Sequence, residues 1–297
     1  MPVSAWFKRW LSAAVGCAVI VGAHASSPVY AGGVRVRVHV FEFVDRSRTV
    51  DLPGGRRVPR RLETTVRYPS TGRSHPLVVF AHGFALTPER YVALLGAWAA
   101  AGYVVAAPVF PLTNANAAGG PREADIVNQP RDMSFVITSL LATNRRPSSF
   151  LGGEIDPARI AVAGQSDGGI TALAVAYDSR YRDSRVRAAV VLSGARMPGM
   201  GSFPAQGPPL LAVQGTADPF NAPATTATYF ELAHRPKFLL WLLGASHLQP
   251  YTDQEPQLRI VARATTAFLD HYLRGRPLSI FERIGRVPSL TRLIADP

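Results

Sequence analysis

The 297-residue sequence contains one cysteine, Cys17, and it lies in an N-terminal segment that reads as an export signal. A mature chain without it has no disulfide and no thiol nucleophile, so its stability must come from core packing, which a chain of this length can supply. Nor does any set of histidines and carboxylates show metal-ligand spacing, and no glycine-rich loop has a phosphate-binding or dinucleotide pattern. The expected chemistry is therefore free of metal and cofactor. With 47% hydrophobic and 18% charged residues, the composition is that of an ordinary globular protein, and disorder is not the expectation. There is no internal repeat and no interdomain linker, which favours one domain over two.

The export signal is built from Lys8 and Arg9, an apolar run over residues 11–21, and small residues at Ala23-His24-Ala25 or Val29-Tyr30-Ala31. Cleavage is expected after Ala31, leaving residues 32–297 as a single domain with its core at about residues 60–275 and a tail at 277–297. The apolar run is shorter than the roughly 20 residues that a spanning helix needs, which argues against an uncleaved anchor. A lipoprotein reading, with Ala14-Val15-Gly16 before Cys17, lacks the usual leucine. Together these place the protein outside the cell or at its envelope.

Thirty-two basic residues against 20 acidic give a formal charge of +12, and loss of Lys8 and Arg9 leaves 12 − 2 = +10. The arginines (Arg56, Arg57, Arg60, Arg61, Arg145, Arg146, Arg180, Arg182 and Arg185 among them) are scattered over loops and element ends with no aromatic stacking module between them. That distribution argues against nucleic-acid binding and for a solvated basic surface that associates electrostatically with anionic envelope material.

Residues 34–44 contain an alternation of Val34, Val36, Val38 and Val40 with Arg35, Arg37 and His39, the period of a half-buried strand, and residues 62–68 read as its antiparallel partner at one sheet edge. Residues 77–81 form a short unbroken apolar run, as a strand buried on both faces requires. Further strands are expected at 103–107, 159–163, 187–192, 209–214 and 237–243, and helices at 88–101, 125–144, 169–177, 222–233 and 255–273. Alternation of this kind predicts an α/β fold with a mostly parallel sheet covered on both faces. The short Gly/Pro-rich stretch between residues 193 and 207 leaves no room for a large lid, so the site is expected to be open and shallow. Whether the tail packs on the body is left open.

Gly164-Gln165-Ser166-Asp167-Gly168 spells G-x-S-x-G between a strand-like run and a helix-like run. That order describes a nucleophile elbow, a sharp turn that exposes the serine oxygen. A serine hydroxyl is a weak nucleophile, so it needs a base within reach and a third group to hold that base. Asp218 follows the strand ending at 214, and His247 follows the strand ending at 243. The order Ser166, Asp218, His247 along successive strands predicts a catalytic triad. Asp253 follows His247 and so falls in the wrong order, and Asp156 before Pro157 reads as a turn cap. His39, His75, His234 and His271 show no partner in the sequence and are assigned to packing or surface. The backbone N–H groups of Asp167 and Phe84 are the expected oxyanion donors, with the Phe84 ring as a substrate-binding wall and His82 as a loop brace.

HGF at 82–84, GQSDGG at 164–169, GTADP at 215–219 and SH at 246–247 together resemble the secreted α/β-hydrolase serine esterases of the dienelactone-hydrolase-like group. That group takes in bacterial cutinases, polyester hydrolases and platelet-activating-factor acetylhydrolase-like enzymes. The resemblance implies a single-domain α/β-hydrolase fold and hydrolysis of a small-molecule or lipid ester through an acyl-enzyme. Two departures stand out: dienelactone hydrolases proper use a cysteine nucleophile, and cutinases usually carry His and Met where this chain has Gln165 and Asp167. A carboxylate beside the nucleophile speaks against cutinase activity. Two other accounts stay open, an envelope acyltransferase using the same acyl-enzyme and a non-catalytic wall-binding protein of the same fold. Acyl-chain length and oligomeric state are not written in these residues.

Overall fold

The computed structural model describes residues 19–20, 29–31, 34–204 and 206–297. Lys8, Arg9, Cys17 and Ala25 of the expected export signal lie outside the described residues. The main chain builds one sheet. Its strands are β1 (Val34–Asp51), β2 (Arg57–Pro69), β3 (His75–Ala81), β4 (Val104–Pro108), β5 (Ile155–Gln165), β6 (Val186–Leu192), β7 (Leu210–Gly215), β8 (Lys237–Leu242) and β9 (Thr291–Asp296). Across the sheet the order is β1-β2-β4-β3-β5-β6-β7-β8-β9. The six strands from β4 to β8 run parallel, while β1 and β2 at one edge and β9 at the other are antiparallel to their neighbours. Two short segments, Val19–Ile20 and Val29–Ala31, pair antiparallel with β1.

Central strands are apolar throughout because both of their faces are covered. On β3, Leu77, Val79 and Ala81 point into one core with helices α2 (Gln129–Asn144), α3 (Asp167–Tyr177) and α4 (Pro223–Leu232). Val78 and Phe80 point into the other, with α1 (Val92–Ala100), α5 (Gln257–Arg274) and α6 (Leu278–Ile284). The helices begin where the sequence supplies a reason. Pro130 and Pro223 occupy the first turns of α2 and α4, where a missing N–H leaves nothing unpaired, and Gly275 closes α5 in the left-handed region at φ 69°.

Three features differ from the sequence expectation or add to it, the packing of the tail being a point that the sequence leaves open. The helix expected at 88–101 opens with a 3-10 turn, Pro88–Tyr91, and the one expected at 125–144 has its first four residues in another, Glu123–Asn128, so that α2 starts at Gln129. The tail packs: α6 lies on α5 with Phe281 fully buried, and β9 pairs along the whole of β8. Third, Arg60 is not part of a solvated basic surface.

Its side chain is 1% exposed and donates to Asp132 at 2.7 Å through Nε, while its terminal nitrogens bind Asp125. Asp132 also pairs with Arg48 at 2.7 Å. Burial disfavours the Asp132 charge more than the two arginines offset it, so its pKa is raised. The network ties β2 to α2 and to the Glu123–Asn128 turn. Arg60→Ala would leave buried Asp125 without its cation and Asp132 with Arg48 alone, and is expected to lower unfolding stability by about 3–5 kcal/mol in urea titrations. Arg57→Ala, which removes an exposed pair with Asp51, is expected to leave the midpoint unchanged.

Candidate active site

Ser166 sits between β5 and α3 with φ 57° and ψ −121°, a backbone conformation that non-glycine residues seldom adopt. The turn is held because the Ser166 amide donates to Leu192 O at 2.9 Å and the Ser166 carbonyl accepts from Ile170 N–H at 3.0 Å. Gly164 and Gly168 flank it in close backbone contacts that leave no volume for a side chain. Asp218 lies on the loop after β7, and His247 on the loop after β8. The two loops are joined through the Ala217 amide, which donates to Ala245 O at 2.9 Å.

These loops bring the three side chains together. His247 Nε2 lies 2.8 Å from Ser166 Oγ, and His247 Nδ1 lies 2.7 Å from Asp218 Oδ2. Asp218 is buried and fully engaged. Oδ2 also accepts from Gln214 Nε2 at 2.9 Å, and Oδ1 accepts from the amides of Phe220 and Asn221, each at 2.9 Å. Burial opposes its ionisation, but the bonds from His247, Asn221 and Gln214 outweigh that and hold its carboxyl below the usual value. An ionised carboxylate is an acceptor only, so Nδ1 carries the proton and Nε2 is left to accept from the serine hydroxyl.

A cleft of about 630 Å³ opens at Ser166, walled by Phe84, Leu86, Phe220 and Leu248. Among the described residues, no helix lies between β6 and β7, and none from that segment lines the cleft. Among the described residues, the amides of Phe84 and Asp167 donate to no backbone acceptor. His82 is fully buried: its Nδ1 faces Gly83 O at 2.8 Å, and its Nε2 accepts from the Phe110 amide at 3.2 Å. Burial pushes its pKa down to about 4, so a neutral ring braces the loop that carries Phe84.

A family model described as chlorophyllase matches residues 46–226, more than half of the chain. The chain belongs to the chlorophyllase family. The match takes in Ser166 and Asp218 and stops before His247. No curated protein sequence matches the chain. Among solved structures, the chain is similar to the ferulic acid esterase from Streptomyces cinnamoneus, with a TM-score of 0.64 and 21% identity over 89% of this chain and 96% of that one. At that identity the likeness shows the fold, an α/β-hydrolase fold, and family membership supports ester hydrolysis as the general activity.

Several residues of this chlorophyllase-family site were not anticipated. Tyr91 accepts from the Gly83 amide at 3.2 Å and donates to Gln165 Oε1 at 2.7 Å, and Gln165 Nε2 donates to His247 O at 2.9 Å. This chain of bonds runs from the loop of Phe84, under the elbow, to the backbone of His247. No spacing rule links positions 91, 165 and 247. Gln165 stood out only as a departure from the histidine usual in cutinases. Gln214 and Asn221, which hold Asp218, were equally silent, since each reads as an ordinary strand-end or turn residue. Glu123 also lines the cleft, carried there by the 3-10 turn that Arg60 anchors.

The remaining sequence candidates lie elsewhere. Asp253 pairs with Arg90 on the surface at 2.9 Å, and Asp156 accepts from the Ala158 amide at 2.9 Å as a turn cap. His39 stacks on Phe150, His75 faces Glu154, and His271 Nδ1 meets Arg276 O at 2.6 Å.

Proposed function

We propose that this protein is an exported serine hydrolase that cleaves carboxylic esters through an acyl-enzyme. Ser166 Oγ attacks the ester carbonyl while His247 Nε2 takes its proton, and Asp218 holds His247 in the required tautomer and stabilises the imidazolium that forms. The amide N–H groups of Phe84 and Asp167 donate to the oxyanion of the tetrahedral intermediate, each worth about 3 kcal/mol of barrier by the usual loss on removal. His247 then returns the proton to the leaving alcohol. A water activated by the same nitrogen releases the acid.

The observation that carries this reading is the unbroken line of contacts at 2.8 Å and 2.7 Å from Ser166 through His247 to Asp218, at the mouth of a cleft. The basic n-region and small-residue cleavage site support export with removal of residues 1–31, leaving 32–297 as the working domain. The open cleft and its apolar walls suit a small-molecule or lipid ester. The direct test is covalent labelling by a fluorophosphonate, with a p-nitrophenyl ester series from acetate to palmitate alongside. Wild-type protein is expected to take the label and Ser166→Ala to lose it together with turnover. A Ser166→Ala variant that hydrolyses these esters as fast as wild type would overturn the reading.

A further inference from the structure

The cleft carries a charge opposite to that of the chain. The protein has 32 basic and 20 acidic residues, yet among the described residues lining the cleft the carboxylates Glu123 and Asp167 stand without a lysine or arginine. Asp167 is 8% exposed, and among the described residues its Oδ2 is buried with no hydrogen-bond partner. A buried carboxylate oxygen without a donor is costly, and the fold gains nothing visible from it. The N-terminus of α3 favours an acid in its first turn, but that benefit does not decide the balance here. Burial, followed by the charge of Glu123, raises the Asp167 pKa to about 6, so the local environment disfavours its ionised form. A cation beside it would favour that form. The cleft also presents the Phe84 and Phe220 rings, Phe220 being 79% exposed, and aromatic faces beside carboxylates suit an ammonium group.

We propose that the Asp167–Glu123 corner is a cation subsite, which binds an ammonium group carried by the ester substrate beside the scissile carbonyl. The inference rests on the cleft being the ester-binding site. A bound ammonium would sit beside the Asp167 carboxylate and Glu123 in the cleft and offset the repulsion between the two acids. An ester bearing a free carboxylate would be repelled by the same corner.

The test compares substrates that differ only in charge. For the alcohol side these are acetylthiocholine and its uncharged isostere 3,3-dimethylbutyl thioacetate. For the acyl side they are the p-nitrophenyl esters of 4-(trimethylammonio)butyrate and 5,5-dimethylhexanoate. At pH 8, where Asp167 is ionised, kcat/KM is expected to favour the cationic member of at least one pair by on the order of tenfold. That ratio is expected to fall toward one in Asp167→Asn and, independently, in Glu123→Gln. Because it is taken within each variant, a general loss of activity does not affect it. Calorimetric binding of phenyltrimethylammonium to Ser166→Ala reads the subsite without turnover, and Kd is expected to rise about tenfold when Asp167→Asn is added. Ratios near one in both pairs, or a preference that survives both variants, would overturn the subsite and leave ester hydrolysis standing. No turnover of any substrate, with phenyltrimethylammonium still bound through Asp167, would keep the subsite and remove the hydrolase reading. Loss of both turnover and binding would remove both.

Discussion

His247→Ala is expected to lower kcat/KM for a p-nitrophenyl ester by about 10⁵–10⁶-fold, the scale seen when the base of a serine triad is removed. The size follows from the geometry. His247 Nε2 is the group within hydrogen-bond reach of Ser166 Oγ, and among the described residues no second base replaces it. A serine hydroxyl without a base is close to an ordinary alcohol, so only binding and the oxyanion donors remain. Asp218→Asn is expected to fall less far, about 10⁴-fold. An amide there offers the His247 Nδ1–H either a weaker acceptor oxygen or an NH₂ group that cannot accept. The second orientation favours the wrong tautomer and places a proton on Nε2, where the serine needs an acceptor. The check is kcat/KM for both variants beside circular dichroism and a urea midpoint. Near wild-type rates in a folded His247→Ala protein would sink the mechanism.

The sequence carried the sheet and the three candidate residues because each rests on a local rule. Continuous apolar runs at 77–81 and 188–192, short and set between turn signals, fit strands covered on both faces. Strand-end loops carrying Asp218 and His247 follow from where those runs stop. The elbow is legible because its glycines and serine are adjacent. What stayed hidden depends on contacts between distant segments. Tyr91 and Gln165 are 74 positions apart, and the bond between them reflects how the Pro88–Tyr91 turn and the elbow pack. Arg60 reads as one more basic loop residue until β2 is laid beside α2, which buries it between Asp125 and Asp132. Strand β9 escaped because Thr291–Asp296 is a partly exposed edge with an arginine and only weak alternation, and its pairing is dictated by β8. The cleft's acids were half legible. Asp167 stands out beside the nucleophile, whereas Glu123 reaches the same cavity only through the 3-10 turn.

The largest effect on folding is expected from Gly164→Ala. A Cβ at Gly164 would lie 2.0 Å from the Gly168 carbonyl oxygen and 2.3 Å from its carbon, and one at Gly168 would lie 2.0 Å from Ala81 O. Every one of these neighbours is backbone, so no rotamer change can relieve the contact. Relief would need α3 to move away from β5 and β3 by roughly an ångström, and dense packing resists such a shift. Helix α3 has little freedom to make it, since Ala172, Leu173, Ala174 and Val175 are fully buried. Each substitution is therefore expected to destabilise by more than about 4 kcal/mol, a large share of the stability of a typical domain. Soluble yield and the urea midpoint should both collapse. Gly96→Ala supplies the control: Gly96 lies inside α1, and a Cβ there meets nothing within 4 Å. That change is expected to stabilise by about 0.5–1 kcal/mol, because alanine leaves the unfolded chain less freedom to lose. A wild-type midpoint for Gly164→Ala would mean that α3 does not start against β5 as described, and the strained Ser166 turn that depends on that contact would have to be abandoned.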